Sequence, residues 1–107
     1  MKQFDIFTWR FPHGEHPAVI VSPQDWIEHK PTVNVLACSS HRARRPADVH
    51  ELILDDADGL DWQTLCRCDH LFDAPKDELI QRRGHVAPDR QIQLVRKVVS
   101  TFAWRLY

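Results

Sequence analysis

The stretch Thr64-Leu65-Cys66-Arg67-Cys68-Asp69-His70-Leu71 decides the fold that this sequence predicts. Apolar and polar residues alternate along it with a period of two, which is typical of a β-strand with one buried face. On a regular strand every second residue shares a face. One predicted face then carries Leu65, Arg67, Asp69 and Leu71, and the other carries Cys66, Cys68 and His70. A guanidinium and a carboxylate would therefore stand side by side.

Arg67 and Asp69 allow two interpretations. A carboxylate can take a proton from a hydroxyl while a neighbouring guanidinium stabilises phosphate charge, so the pair could act on a phosphodiester. The alternative is a surface ion pair between neighbours on one strand, which is a common arrangement.

The remaining segments predict a mainly β fold. Apolar or alternating runs predict four further strands, at residues 3–9, 17–22, 32–39 and 49–54. Residues 75–81 are predicted as a short helix. A longer helix opens at Pro88, and its apolar residues recur at helical spacing and would face the core: Ile92, Val95, Val98, Val99 and Phe102. About five strands with short connections favour an antiparallel, partly closed barrel, with the C-terminal helix packed over the barrel or over a partner chain.

Length, charge and cysteine content bound the class of protein. The chain has 107 residues, which predicts a single domain over 1–107. The formal net charge is -1, so any nucleic-acid contact must use a local patch. No apolar run is long enough to span a membrane, and the N-terminus lacks the apolar segment of a signal peptide. Cys38, Cys66 and Cys68 are an odd number of cysteines and are predicted to be reduced thiols of a cytoplasmic protein.

Two clusters of candidate ligands follow from the same strands. The run from Ser39 to Arg45 is basic and suits phosphate binding, since each arginine offers a fork of donors. The other interpretation is a solvated loop, in which Ser39 only caps a turn. Cys66, Cys68 and His70, joined by Cys38, could form a metal site. Their spacing lacks a two-residue gap, so we favour buried thiols and predict no metal and no cofactor.

Single residues at the chain's edges are open to either a structural or a functional interpretation. His16 stands before Pro17 at a strand entrance, where it could hold a proton or simply be a polar edge residue. Trp104, close to the C-terminus, could anchor the helix or contact a target.

Together these segments resemble the MazF/PemK toxin family. The similarity covers roughly Glu15 to Phe102. It is carried by an ordered set of short motifs, which are His16-Pro17-Ala18-Val19-Ile20-Val21-Ser22, Val35-Leu36-Ala37-Cys38-Ser39-Ser40, His50-Glu51-Leu52, Cys66-Arg67-Cys68-Asp69 and Gly84-His85-Val86-Ala87-Pro88. The resemblance implies an SH3-like barrel with a C-terminal helix, a homodimer, and the toxin of a bacterial toxin–antitoxin system. Such a toxin is a metal-independent endoribonuclease that cleaves single-stranded RNA, inhibits growth and is held inactive by a cognate antitoxin.

The resemblance also implies roles for individual residues. Asp69 would be the general base on the ribose 2′-hydroxyl. Arg67 would act as proton donor or phosphate stabiliser, and we favour the stabiliser because a guanidinium is a reluctant acid. Ser39 would contact the scissile phosphate. The residues expected to contact the RNA around them are His16, His41, Arg42, Arg44, Arg45 and His70.

Two departures from the family pattern leave other functions open. Many members carry arginine where this chain has His16, and an imidazole carries a positive charge only when protonated, so activity could be weak, pH-dependent or absent. The second departure is the N-terminus, which lacks the family's usual Arg-Gly-Asp/Glu opening. Residues 3–9 are instead similar to the start of CcdB, a gyrase-poisoning relative, and the Trp104 tail is loosely similar to the C-terminus of CcdB. The alternatives are therefore a non-catalytic toxin that blocks DNA gyrase and a degenerate member that only binds its antitoxin.

Overall fold

The computed structural model describes residues 1–39 and 43–102, which form one curled antiparallel sheet flanked by helices. The strands are β1 (Asp5–Phe11), β2 (Gly14–Ile20), β3 (Thr32–Cys38), β4 (Glu51–Leu54), β5 (Thr64–Pro75) and β6 (Ile80–His85). The helices are α1 (Gln24–His29) and α2 (Pro88–Thr101), and two short 3₁₀ turns lie at Asp56–Asp58 and Lys76–Glu78. The mainly β fold with a C-terminal helix is confirmed.

The sheet order is β4-β5-β3-β2-β1-β6, so β5 is paired on both sides. All neighbouring strands run antiparallel. Curling of the sheet separates the buried side chains into two clusters, one on each face. One cluster contains Leu36, Cys66, Cys68 and Leu94 of α2, and the other contains Phe11, Val35, Ala37 and Ile27 of α1.

The sequence prediction of a short helix over residues 75–81 was wrong, because this segment ends in the first residues of the strand β6. Only Lys76–Glu78 forms a helical turn, and the chain then pairs with β1 from Ile80 onward. Every residue of this strand except Gly84 is at least partly exposed, so its sequence lacks the apolar alternation that reveals a half-buried strand. Gly84 is required there, because a Cβ at this position would overlap the backbone oxygen of Asp58.

The helix α2 also differs from its prediction. Leu94 is its fully buried residue and packs into the core, at 1% exposure. Ile92, Val95 and Val99 are 57%, 45% and 65% exposed, and Phe102 just beyond the helix is 45% exposed. Among the predicted stripe, only Val98 packs partly against the core. The helix therefore packs over this chain's own sheet through Leu94 and Val98, and the prediction that the whole stripe faces the core is wrong for its other four residues.

The strand β5 contains an irregularity that changes which side chains share a face. Leu71 pairs with Leu36 and Cys66 with Cys38, so β5 uses more residues than β3 between these two pairs. Leu36 and Cys38 lie on one face of β3, which places the even-numbered Cys66 and the odd-numbered Leu71 on the same side. Such a bulge re-aims the side chains that follow it. The predicted strict alternation is therefore wrong beyond Cys68.

Candidate active site

A groove of about 420 Å³ opens at the bulge of β5 and gathers side chains from five segments of the chain. Its polar lining is formed by Ser39, Arg45, Glu51, Arg67, His70, His13 and His16, and its apolar lining by Ala37, Cys38, Leu65 and Phe72. Several predicted site residues that are far apart in sequence thus lie around one depression. His70 lies on the same side as Arg67, contrary to the sequence prediction, because the bulge reverses the alternation between them.

Arg67 and Asp69 lie next to each other on β5. The Arg67 Nε atom is 3.9 Å from Asp69 Oδ1, and their side chains are 45% and 29% exposed. Asp69 Oδ1 is buried and accepts no hydrogen bond from any residue in 1–39 and 43–102. Arg67 lines the groove, whereas Asp69 stands beside it. A carboxylate oxygen in this setting retains a lone pair that can accept a proton.

Ser39 is held at the groove by β5 on both its backbone and its side chain. Its N–H donates to the Leu65 carbonyl at 3.0 Å, and the Leu65 N–H donates to Ser39 Oγ at 3.1 Å. Thr64 Oγ1 donates to the Ser39 carbonyl at 2.6 Å and also lies 2.6 Å from Ser39 Oγ. Thr64 has a single hydroxyl hydrogen, so when it donates to that carbonyl the Ser39 hydroxyl is the donor in the second contact. In that arrangement, donation to a phosphate requires the Ser39 hydroxyl to turn away from Thr64.

Glu51 is one of the groove residues that sequence reasoning missed, together with His13 and Phe72. It is 2% exposed, and Arg45 donates to its two oxygens at 2.6 and 2.8 Å in a fork-to-fork pair. The Asp48 N–H donates to it at 3.1 Å, and Arg67 is its partner across the strands. Hydrogen bonds from Arg45 lower the pKa of Glu51 to about 2, against the opposing effect of burial. Glu51 lies in a stretch that predicted a strand and contributed to the family resemblance. Neither feature indicated a chemical role for its carboxylate.

The predicted basic loop is only partly described by the structure. Arg45 lines the groove, but its guanidinium is occupied by Glu51, and Arg44 is exposed nearby in the chain. His41 and Arg42 lie outside the described residues, and so does Trp104.

His16 lies inside the groove together with Arg67 and Ser39. Its ring is 4.6 Å from that of His13 and 5.9 Å from Phe11, measured between centroids. The sequence predicted His16 at a strand entrance and, through the family resemblance, as an RNA contact; the hairpin of β1 and β2 carries its ring to the groove.

The cysteines are buried thiols in the part of the chain that is described. Cys38, Cys66 and Cys68 are free, and contacts among them together with burial raise the pKa of Cys66 and of Cys68. No group of three or more histidine, cysteine or acidic side chains within residues 1–39 and 43–102 is arranged to hold a metal ion. None of the helices described there has the length and apolar character to cross a membrane.

The fold has close counterparts among solved structures. An endoribonuclease in complex with its cognate antitoxin from mycobacterial species superposes with a TM-score of 0.85 at 18% identity, covering 100% of this chain and 99% of that one. The Mycobacterium tuberculosis toxin MazF-mt6 gives 0.81 at 17% identity, over 95% and 99%. A MazE-MazF structure from Deinococcus radiodurans gives 0.77 at 15% identity, over 98% and 97%.

Identity this low shows a shared fold alone, and no curated protein sequence shows significant similarity to the chain. The sequence itself, however, matches over residues 2–102 the family described as PemK-like, MazF-like toxin of type II toxin-antitoxin system. The chain is therefore a member of the PemK/MazF-like toxin family, with the half-barrel of that fold and the Arg67–Asp69 pair beside its groove.

Proposed function

We propose that this toxin is a metal-independent endoribonuclease whose cleavage site is the groove at the bulge of β5. The observation that carries the proposal is the placement of Arg67 and Ser39 on one groove, with the carboxylate of Asp69 3.9 Å from Arg67 Nε. Family membership supports the same reaction class.

The geometry suggests a division of labour in cleavage through the ribose 2′-hydroxyl. The Asp69 carboxylate would remove the 2′-hydroxyl proton as the 2′-oxygen attacks phosphorus, and the P–O5′ bond would break as the leaving 5′-oxygen takes a proton from water. Arg67 would lie over the phosphate and stabilise the charge that grows on its oxygens. Ser39 would donate a further hydrogen bond once its hydroxyl turns from Thr64. The products would be a 2′,3′-cyclic phosphate and a 5′-hydroxyl.

Four assigned contacts remain predictions within this proposal. We keep His16, His70 and Arg44 as predicted RNA contacts, and the lining of the groove by His16 and His70 and the exposure of Arg44 support this. Arg45 would act on RNA mainly by shaping the groove, because Glu51 occupies its guanidinium.

The test is cleavage of a long single-stranded RNA by purified protein in excess EDTA. Discrete cuts with 2′,3′-cyclic phosphate ends are expected from the wild type, and Asp69→Asn should abolish them with the fold intact by circular dichroism. Asp73→Asn is the matched control, since Asp73 is an exposed aspartate on the same strand. Cleavage by Asp69→Asn at the wild-type rate would remove Asp69 from the mechanism. An inactive wild type would lead to a gyrase supercoiling assay.

We also propose two protein partners. The first is a cognate antitoxin, as in the mycobacterial and Deinococcus complexes that share the fold. The second is another copy of the same chain, because the exposed stripe of α2 is a large apolar surface for a chain of this size.

A further inference from the structure

One wall of the groove consists of aromatic rings from three segments of the chain. His13 lies in the turn between β1 and β2, His16 lies on β2, and Phe72 lies on β5. The ring centroids of His13 and His16 are 4.6 Å apart with their planes tilted by 42°, and those of His13 and Phe72 are 6.1 Å apart. His70 extends the row at 6.5 Å from Phe72.

Packing behind the wall holds these rings in place. Phe11 is 2% exposed and lies 5.0 Å from Phe72, 5.4 Å from His13 and 5.9 Å from His16. Trp9 packs against Phe11 at 4.6 Å. The wall is thus a layer over the buried rings of Phe11 and Trp9, and His13 is its exposed member.

The groove is also lined by charged and polar side chains. Arg67, Arg45, Glu51 and Ser39 belong to this lining, and Ala37 and Leu65 add apolar surface. The volume of about 420 Å³ falls within the range of small-ligand pockets. A groove that combines aromatic rings with the Arg67 guanidinium matches a nucleotide, which has an aromatic base at one end and a phosphate at the other.

We propose that His13, His16 and Phe72 form a stacking platform for one nucleobase of the RNA, adjacent to the phosphate bound by Arg67. The inference rests on the proposed function and adds to it where the neighbouring base is held. His13 is the outer ring of the platform and sets much of the affinity. Stacking needs the flat ring of residue 13 and not its charge.

The test measures binding apart from cleavage, with eight-nucleotide 2′-O-methyl RNAs of each base, which lack the attacking hydroxyl. Removal of one base–aromatic stack weakens binding by about 5- to 100-fold. We expect His13→Ala to lose affinity by this factor, His13→Tyr to restore it, and His13→Lys to leave it low. His29→Ala is the matched control, because His29 is an exposed histidine at the end of α1, and it should bind as the wild type does.

An abasic site walked along the best-bound oligonucleotide then locates the stacked base. For the wild type, an abasic site at one position should lower the affinity by about the same factor as His13→Ala does. For His13→Ala, an abasic site at that position should lower the affinity no further. Equal losses at that position in both proteins would overturn the platform, and so would rescue by His13→Lys or wild-type affinity in His13→Ala.

The cleavage assay is read separately. Base-dependent binding without cuts would keep the platform and overturn the ribonuclease. If the wild type cuts RNA but His13→Ala binds the oligonucleotide as tightly as the wild type does, the ribonuclease is kept and the platform is overturned.

Discussion

Glu51 holds the Arg45 guanidinium that lines the groove, although nothing in the sequence around Glu51 marks it as a site residue. It is almost fully buried, pairs with both terminal nitrogens of Arg45, and lies across the strands from Arg67. A buried carboxylate held by a bidentate guanidinium fixes the position of that guanidinium. Arg45 therefore enters the groove in one orientation.

We expect Glu51→Gln to destabilise the fold by about 1–3 kcal/mol, because it weakens the hydrogen bonds of a buried charged pair. The cost should depend on pH. The pKa of Glu51 is lowered to about 2 in the fold, so its stabilisation is complete above its unfolded pKa near 4.5 and is lost as the pH falls toward 2.

Urea unfolding at pH 7 and pH 3 measures this difference. The wild type should lose more stability on acidification than Glu51→Gln does. Glu28→Gln is the control, since Glu28 is an exposed glutamate on α1. An equal loss in wild type and Glu51→Gln would show that other carboxylates, such as Asp5 and Asp55, dominate acid unfolding. Asp55 has its pKa lowered by Arg90, and hydrogen bonds from His85, Lys2 and Arg82 lower that of Asp5 against the effect of burial.

At the scale of the element, α2 divides its apolar residues between two tasks. Leu94 packs into the core, while Ile92, Val95 and Val99 remain exposed. Exposed apolar residues on one helix face commonly mark a site of association.

We expect Val99→Glu to convert a dimer into a single chain, since a charge in an apolar interface must be desolvated without a partner. Light scattering after size-exclusion chromatography measures the mass. Ser100→Glu is the control, because Ser100 is an exposed neighbour outside the apolar stripe. A wild type with the mass of one chain at high concentration would contradict self-association through this face.

In the Val99→Glu background, Leu94→Ala tests the contribution of a core residue to stability, and Val95→Ala tests that of a surface residue. Leu94→Ala should cost about 2–5 kcal/mol of unfolding free energy, as expected when a fully buried leucine leaves a cavity. Val95→Ala should change it by less than about 0.5 kcal/mol. Denaturant unfolding of both variants gives the comparison, and similar costs would mean that the stripe is buried in solution.

At the scale of the whole molecule, charge limits how the protein can bind RNA. The formal net charge is -1, so long-range attraction by the molecule as a whole is absent. Binding must depend on a few local contacts, with Arg67 in the groove and Arg44 exposed close by in the chain.

We therefore expect a shallow salt dependence of RNA binding. Each phosphate neutralised on a single strand contributes a slope of about −0.7 in a plot of log K against log salt. Two phosphate contacts predict a slope of about −1.4, and Arg67→Gln should reduce the magnitude of this slope by about 0.7. Fluorescence anisotropy with a 2′-O-methyl oligonucleotide over a salt series measures it, with Arg10→Gln on the exposed side of β1 as the control. An unchanged slope in Arg67→Gln would place Arg67 away from phosphate.

Much of the architecture followed from sequence because local patterns carry it. Strands with a clear apolar face, such as β3 and the first half of β5, were predicted close to their observed bounds. The α2 helix was predicted from Pro88 and its helical spacing. The exposed edge strand β6 was missed, since pairing with β1 and not an apolar pattern makes it a strand.

The sequence by itself determined the class of fold, the family and the residue types available for chemistry, because strand periodicity and ordered motifs are properties of the local chain. Only the tertiary structure decided which of those residues meet. The bulge in β5 brings His70 to the side of Arg67, the β1–β2 hairpin carries His13 and His16 to the same groove, and burial turns Glu51 into the partner of Arg45. These placements depend on register and burial, which arise only when distant segments pack against each other.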